Sequence, residues 1–320
     1  MKRFSFIIVL NIFSICLFAQ VKNDSVFSES EIVLKTTSGV IYGTLAIPNN
    51  VKTSPVVLII AGSGPTDRDG NNTFGLITNA YKMLSESFAK NGISSVRFDK
   101  RGIGKSKQAM ISENDITFET FINDAVLWIE LLKNDKRFSK INILGHSEGS
   151  LIGMIAAKQT NISGFISIAG AGKSIDKILQ EQLKNKLPPQ LMEESNSILD
   201  SLKNGKTVSK ISQSLNTLYR PSVQPYLISW IRYDPAKEIH KLNIPVIIIQ
   251  GNTDLQVTVE DAKLLSQTTK NGKIFIIDKM NHVMKESDTD IQKNMTTYNN
   301  PDLPLKEGLA DDIVNFINNN

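Results

Sequence analysis

The chain has 320 residues, 41% of them hydrophobic and 21% charged, which is the composition of a globular protein able to bury a large core. Its formal net charge at pH 7 is +4, and removal of the two basic residues near its start would leave 34 basic against 32 acidic side chains. This small surplus argues against nucleic acid or an acidic polymer as a partner.

The N-terminus has the features of a secretory signal peptide. Lys2 and Arg3 precede an apolar run over residues 4–18, which is followed by the small residue Ala19. Because such a run is short for a membrane span and ends at a residue suited to cleavage, we predict that residues 1–19 are removed. The mature chain would then be exported, and no membrane is expected as its partner.

The single cysteine, Cys16, lies inside this leader. A lipid anchor on Cys16 is the alternative to a soluble mature chain, but Ile15 before it is bulkier than a lipoprotein cleavage site favours. Cleavage after the leader leaves a mature chain without disulfides, thiolate nucleophiles or cysteine-ligated metals. Export without disulfides suits a bacterial periplasm or the cell exterior.

Beyond the leader, the sequence alternates between predicted strands and helices. Apolar runs bounded by turn residues predict strands over residues 31–37, 40–47, 55–61, 93–98, 141–144, 164–169, 246–249 and 273–277. Apolar periodicity and capping residues predict helices over residues 81–90, 118–132, 151–157, 259–266 and 309–317. The first two strands are expected to pair antiparallel, and the later alternation predicts a mostly parallel central sheet with helices on both faces.

A stretch from about residue 173 to about residue 237 interrupts this alternation. It is rich in helix formers and is punctuated by Pro188-Pro189, Pro221 and Pro225. We predict that it forms a helical cap on a single domain of residues 20–320, over the C-terminal ends of the strands, where open α/β sheets bind ligands. Additional helices that only pack against the core are the alternative.

Gly145-His146-Ser147-Glu148-Gly149 lies between a predicted strand and a predicted helix. In this G-x-S-x-G pattern, glycines allow the chain to turn sharply without a Cβ clash, and the serine hydroxyl is exposed at the end of the sheet. The free N–H groups of the following helix favour developing negative charge there. Ser147 is therefore a candidate nucleophile. Because the pattern also occurs by chance, the assignment depends on finding a base and an acid near this serine.

Three histidines could accept the proton of this serine. His282 lies in the loop after the strand predicted over residues 273–277, and loops after parallel strands lie at the same edge of a sheet as Ser147. His146 is fixed beside the serine in its turn, and His240 precedes a strand, at the opposite edge. His282 is therefore the predicted general base.

The predicted acid is Asp254, which follows the strand over residues 246–249 and so reaches the same edge, one strand from His282. Asp278 is closer to His282 in sequence, but it ends the strand that carries this histidine and is expected to cap its loop. The order Ser147, Asp254, His282 is the chain order of the triad in α/β hydrolases.

Two backbone N–H groups are predicted to bind the oxyanion that forms during acyl transfer. One belongs to Glu148, the residue after the nucleophile. The other belongs to Ser63, in the Ala61-Gly62-Ser63-Gly64-Pro65 loop after the third predicted strand, with Gly64 as the alternative. The glycines of this loop allow a substrate carbonyl to approach the backbone closely.

Several motifs together resemble those of the α/β-hydrolase superfamily. They are G-H-S-E-G at 145–149, G-S-G-P-T-D-R-D-G at 62–70, D-K-R-G-I-G-K-S at 99–106, Y-D-P-A at 233–236 and G-N-T-D-L-Q-V at 251–257. Within the superfamily, the chain resembles bacterial esterases close to the serine aminopeptidase-like and acyl-CoA thioesterase-like groups. The resemblance implies the α/β-hydrolase fold, a capped site and carboxylester hydrolysis. Ala61 is a departure, since many members have a histidine there that braces the oxyanion loop.

Two further motifs are interpreted as structural. Gly104-Lys105-Ser106 is similar to the end of a phosphate-binding loop, but Asp99 stands where that loop needs its first glycine. Arg68, between Asp67 and Asp69, is expected to form an ion pair that staples its loop, with a substrate contact as the alternative.

We predict an exported serine hydrolase that cleaves small carboxylic esters through an acyl-enzyme intermediate, without a metal or cofactor. Thioester hydrolysis and aminopeptidase-like amide hydrolysis are the alternatives among enzymes, and an inactive binding protein is the alternative outside them. The candidates to bind a substrate amine are the carboxylates of Glu148, Glu193 and Glu194. The candidates to line an acyl pocket are apolar cap residues, namely Leu179, Leu183, Leu187, Leu191 and Met192.

Overall fold

The computed structural model describes residues 25–320, so the predicted signal peptide and Cys16 lie outside the described residues. Within residues 25–320, one sheet of eight strands forms the centre of the protein. The strands are Phe27–Thr36 (β1), Gly39–Pro48 (β2), Ser54–Ile60 (β3), Ser94–Phe98 (β4), Phe138–His146 (β5), Gly164–Ile168 (β6), Val246–Gly251 (β7) and Gly272–Ile277 (β8).

The strands are ordered β1-β2-β4-β3-β5-β6-β7-β8 across the sheet. β1 pairs antiparallel with β2, and β2 pairs antiparallel with β4. All pairs from β4 to β8 are parallel. The C-terminal ends of β3 to β8 therefore meet at one edge, which brings the loops after them together.

Helices cover both faces of this sheet. Within the described part of the chain they are Ala80–Lys90 (α1), Phe118–Lys133 (α2), Glu148–Gln159 (α3), Ile175–Leu183 (α4), Pro189–Lys203 (α5), Gln213–Tyr219 (α6), Gln224–Ile231 (α7), Pro235–His240 (α8), Val259–Thr268 (α9), Ile291–Thr296 (α10) and Leu309–Asn319 (α11). None of these helices combines the length and the apolar character that crossing a lipid bilayer requires.

Alternate side chains of β3 enter two different cores. Val56, Leu58 and Ile60 pack with α2 and α3 on one face of the sheet. Val57 and Ile59 pack with α1 and α11 on the other face. Because both faces are covered, the strand needs apolar residues at every position, which explains its continuous apolar sequence.

The helices α4 to α7 have a hydrophobic core of their own, and we call them the cap helices. Leu199, Leu202 and Leu215 are buried there together with Tyr219 and Leu227. α8, which follows the cap helices, packs instead against α3 and α9 on the main sheet. The cap helices are thus an insertion between β6 and β7 that is stabilised largely by its own apolar contacts.

The predicted elements occur in the predicted order, and the differences lie at their ends. β5 extends past the predicted residues 141–144 in both directions. α3 begins at Glu148, three residues before the predicted start, because its first turn contains polar and small residues that carry no apolar signal. The six-residue helix α10 was not predicted, since it is too short to show a period.

Candidate active site

Ser147 occupies a strained turn between β5 and α3. Its backbone angles, φ 55° and ψ −120°, lie in a region that residues other than glycine rarely adopt. Such strain typically costs about 1–3 kcal/mol and persists only where the surroundings enforce it. Here the N–H of Ser147 donates to the carbonyl of Ile168 at 2.9 Å, which fixes the turn to β6.

The two glycines that flank this turn are required by close packing. A Cβ added to Gly145 would lie 2.3 Å from the carbonyl oxygen of Gly149. A Cβ added to Gly149 would lie 2.2 Å from the carbonyl oxygen of Ile60, at the end of β3. Since backbone atoms occupy both positions, any larger residue would push α3 away from the sheet and displace Ser147.

Asp254 and His282 lie in the loops after β7 and β8 and are in direct contact. The Nδ1 atom of His282 and the Oδ2 atom of Asp254 are 2.8 Å apart. Their side chains are 6% and 0% exposed, respectively, so this hydrogen bond is shielded from water. Because the bond engages Nδ1, the Nε2 atom of the ring is left to interact with other groups.

Several donors keep Asp254 charged despite its burial. Burial alone would raise the pKa of its carboxyl group, but the charge and hydrogen bond of His282 lower it. The N–H groups of Val257 and Gln256 also donate to this carboxylate, at 3.0 and 2.7 Å, and the resulting pKa is below its ordinary value. Asp254 is therefore an ionised acceptor that can hold His282 in one tautomer.

The other two candidates for acid and base lie elsewhere. Asp278 is exposed and accepts a hydrogen bond from the side chain of Asn252 at 2.8 Å, as a loop cap would. His240 is exposed at the end of α8, where its Nδ1 donates to the carbonyl of Thr268 at 2.9 Å.

Ser147 lies where two cavities meet. The larger has a volume of about 650 Å³ and extends between the cap helices and α2 and α3; we call it the cap pocket. The smaller has a volume of about 260 Å³ and is lined by His282, Tyr298 and Gly62; we call it the small pocket. Ser63 and Ser147 line both cavities, so a molecule bound across this point could occupy both.

His146 forms a buried bridge between two elements of the site. Its Nε2 donates to the backbone carbonyl of His282 at 2.8 Å, and its Nδ1 lies 2.8 Å from the hydroxyl of Tyr81. Burial, and secondarily the charge of His282, lowers the pKa of His146 to about 3. The ring is therefore neutral, and since it donates from Nε2, its Nδ1 must accept a hydrogen bond from Tyr81.

A buried ion pair lies on the other side of Ser147. Lys100 Nζ is 3.0 Å from Glu148 Oε1, and the two side chains are 8% and 2% exposed. Glu148 also adjoins Tyr226, and burial together with this negative charge raises the pKa of Tyr226 well above its ordinary value. The Glu148 carboxylate is thus already neutralised by Lys100 and is poorly suited to bind a substrate amine.

The cap pocket is lined by fewer of the expected apolar residues than the sequence indicated. Of the five candidates, Leu179 lines it, whereas Leu187 and Leu191 pack against the core of the cap helices. Its walls come instead from α4, α7 and α2, through side chains that include Ile178, Leu227, Trp230 and Phe121. The apolar stripe of α5 faces the other cap helices, which is why its leucines are absent from the wall.

Arg68 is an ion-paired staple, but its partner differs from its sequence neighbours. It forms a bidentate pair with Asp99, at 3.0 and 2.7 Å, and so joins the loop after β3 to the loop after β4. Asp69 pairs with Arg97 at 2.8 Å. Asp99 also accepts a hydrogen bond from the backbone N–H of Lys105 at 3.0 Å, so the 104–106 segment braces a loop as predicted.

Two side chains of the site, Tyr81 and Lys100, were not identified from the sequence. Lys100 follows β4 at the same sheet edge as the other site residues, and this position could have identified it as a site residue from the sequence. Tyr81 lies near the start of α1, where its apolar character indicated only core packing.

Known proteins are similar to most of the chain. The family model described as serine aminopeptidase S33 matches residues 74–288. Esterase EstD of Thermotoga maritima is 29% identical over an alignment of 272 residues that covers 81% of this chain and 60% of that protein. The chain therefore spans less than two thirds of the length of this curated relative.

Solved structures show the same fold at low sequence identity. Est1E from Butyrivibrio proteoclasticus matches with a TM-score of 0.58 and 17% identity, covering 90% of this chain and 99% of that chain. The Pyrococcus furiosus esterase Pf2001 matches with a TM-score of 0.56 and 14% identity, covering 92% of this chain and 93% of that chain. These similarities confirm the predicted α/β-hydrolase fold.

The buried His146 predicts an acid-sensitive contribution to stability. Its pKa is lowered from 6.5 to about 3, so between these values the unfolded chain binds a proton that the folded chain does not. This contribution is complete above about pH 6.5 and is lost toward pH 3, with a limiting slope of about 1.4 kcal/mol per pH unit. We expect His146→Gln to weaken the acid dependence of the free energy of unfolding, measured by urea denaturation. Parallel curves for the two proteins would contradict the assignment of a neutral His146.

Proposed function

Because the chain belongs to the family described as serine aminopeptidase S33, we propose that it is a serine hydrolase that cleaves small carboxylic esters. The observation that carries this proposal is the buried pair of His282 and Asp254, with His282 lining the same small pocket as the strained Ser147. An inactive binding protein would have no need for a buried carboxylate held against a histidine next to a strained serine. The similarity to an enzyme named as an esterase also supports the proposal.

The proposed reaction begins with attack of Ser147 Oγ on the carbonyl carbon of the ester. His282 Nε2 accepts the serine proton, and Asp254 stabilises the imidazolium that forms. His282 then gives this proton to the leaving alkoxide as its bond to the carbonyl carbon breaks, which leaves an acyl group on Ser147. Water, deprotonated by His282, attacks this acyl-enzyme, and the acid is released with Ser147 restored.

The negative charge on the tetrahedral intermediate is proposed to be held by the backbone N–H groups of Ser63 and Glu148. Glu148 is the first residue of α3, so its N–H has no acceptor within the helix and lies at the positive end of the helix dipole. Ser63 lines both cavities beside Ser147. A donor of this kind typically contributes about 2.7–4 kcal/mol to transition-state stabilisation.

The two cavities suggest which part of the ester occupies which side. Since His282 must protonate the leaving oxygen, the alcohol should lie in the small pocket, which His282 lines. The acyl group should then extend into the cap pocket, where Trp230, Phe121 and Leu227 offer an apolar surface. The proposed substrates are therefore esters of a medium-sized apolar acid with a small alcohol.

The charges near the cap pocket favour esters over aminoacyl amides. Within the described chain, the carboxylates that line this pocket, Glu148 and Glu113, are each paired with a cation, Lys100 and Arg220 respectively. The cap carboxylate Glu194 already accepts hydrogen bonds from Ser212. A substrate ammonium group would have to displace one of these partners, whereas an uncharged ester would not.

We propose that the enzyme acts outside the cytoplasm, on the basis of the leader at residues 1–19. Mass spectrometry of the protein exported by its bacterial host should find Gln20 at the N-terminus. A lipid-modified Cys16 at the N-terminus, or an uncleaved leader, would contradict this proposal.

The nucleophile and the acid can be tested by three matched variants. Ser147→Ala should abolish both ester turnover and labelling by a fluorophosphonate while leaving the melting temperature near that of the wild type. Asp254→Asn should lower kcat by about four orders of magnitude, because His282 would be held in the wrong tautomer. Asp278→Asn, the matched control in the loop that carries His282, should retain activity. Labelling that persists without Ser147, or a greater loss from Asp278→Asn, would overturn the assignment.

The two sides of the site can be tested with isomeric esters. Methyl octanoate and heptyl acetate have the same composition, but the long chain is on the acyl side in one and on the alcohol side in the other. We expect kcat/KM for methyl octanoate to be higher by about tenfold or more, since each buried methylene is worth about 0.8 kcal/mol. The reverse order would place the acyl group in the small pocket and the alcohol in the cap pocket.

An aminoacyl anilide assayed on the same preparation should be a much poorer substrate, and a higher kcat/KM for the anilide would identify a peptidase instead.

A further inference from the structure

We propose that Tyr81 and Lys100 are positioning residues that set the direction of the Ser63 N–H group, an inference that rests on the oxyanion role proposed above. Both side chains hold Gly62, the residue before Ser63. The hydroxyl of Tyr81 accepts a hydrogen bond from the N–H of Gly62 at 3.2 Å. The ammonium group of Lys100 donates to the carbonyl of Gly62 at 3.0 Å.

The geometry of the peptide bond transmits the Lys100 contact directly to the oxyanion donor, whereas Tyr81 holds the preceding peptide group, between Ala61 and Gly62. The carbonyl of Gly62 and the N–H of Ser63 belong to one planar peptide group and point in opposite directions. Fixing the carbonyl against Lys100 therefore fixes the direction of the Ser63 N–H. Without this contact, a glycine at position 62 would leave the peptide group free to rotate.

The loop is also held tightly against the nucleophile turn. A Cβ added to Gly62 would lie 3.1 Å from Cβ of Ser147 and 3.4 Å from Nδ1 of His146. The position of the loop relative to Ser147 is thus set by direct packing, and the two hydrogen bonds at Gly62 orient the peptide groups on either side of that residue. A variant that removes one of these hydrogen bonds and keeps the packing therefore tests the orientation of the loop on its own.

Each of the two side chains is anchored to another part of the site. Tyr81 donates to His146, which in turn donates to the carbonyl of His282, the proposed base. Lys100 is paired with Glu148, whose N–H is the other proposed oxyanion donor. Tyr81 and Lys100 are buried as whole residues, with 4% and 7% of their surfaces exposed, so water competes little for these bonds. The network therefore links both oxyanion donors and the base.

Tyr81→Phe tests the first contact, since it removes one hydroxyl and keeps the ring that packs in the core. We expect kcat to fall by about 10–100-fold with little change in KM, which is less than loss of a whole oxyanion donor. Tyr219→Phe is the matched control, because it removes a buried hydroxyl that is hydrogen-bonded to Ser195 among the cap helices. This control should retain wild-type kinetics.

A pair of inhibitors separates orientation of the oxyanion site from a general disturbance. A trifluoromethyl ketone with a heptyl chain forms a tetrahedral anion on the nucleophile, whereas the corresponding alcohol binds only non-covalently. In Tyr81→Phe, the ketone should lose affinity by the same factor as kcat/KM, and the alcohol should bind as in the wild type. Unchanged ketone affinity, or equal losses for both compounds, would contradict the proposal.

Lys100 needs a double variant, because Lys100→Met alone would leave the buried Glu148 carboxylate unpaired. Lys100→Met combined with Glu148→Gln keeps the volume and removes both charges. It should show the same selective loss of ketone affinity. Glu148→Gln alone should lose much less, because its amide oxygen can still accept from the Lys100 ammonium group, which also lies 4.7 Å from the centre of the Phe121 ring and can keep its contact to Gly62. Equal effects of the double and single variants would exclude Lys100 from this role. If the wild type itself neither hydrolyses esters nor binds the ketone, the proposed function fails rather than this inference.

Discussion

The contact between the start of α3 and the end of β3 is the constraint on which the site depends. At Gly149 the helix backbone approaches the carbonyl of Ile60 so closely that a single methyl group would not fit. This packing holds Ser147 in a conformation that it would otherwise leave, and it places the first N–H groups of the helix beside the 61–65 loop. The glycines of the G-x-S-x-G pattern are therefore required by the close approach of two backbone segments, and the serine by the proposed chemistry.

The buried charged side chains of this largely apolar site are stabilised by oppositely charged or hydrogen-bonding partners rather than by water. Asp254 is ionised because His282 and nearby backbone donors offset the effect of its burial. The charge of Glu148 is balanced by Lys100 at 3.0 Å. His146 has no charge to balance, because its lowered pKa keeps the ring neutral. Hydrogen bonds of Gly62 with Tyr81 and Lys100 hold the 61–65 loop, and the cap pocket offers an apolar surface to an uncharged group.

The sequence predicted the features that depend on period and position along the chain. Apolar runs and helical periods identified the sheet, and their order put Ser147, Asp254 and His282 at one sheet edge, although their catalytic roles stay predictions. It could not predict contacts that form between side chains far apart in sequence. Arg68 pairs with Asp99 rather than with its neighbours, and Tyr81 meets Gly62 because α1 packs against the sheet. Leucines of α5 and of α7 carry the same apolar signal in the sequence, and only the packing of the cap helices decides which of them line the pocket.

The proposed mechanism is tested most directly by a crystal structure of the protein after reaction with a phosphonate that carries an apolar alkyl group. We predict a covalent bond from Ser147 Oγ to phosphorus, with the phosphoryl oxygen about 2.7–3.1 Å from the N–H groups of Ser63 and Glu148 and the alkyl group in the cap pocket. His282 should lie on the opposite side, toward the small pocket. A phosphonate bound to another residue, or a phosphoryl oxygen directed away from Ser63 and Glu148, would contradict it.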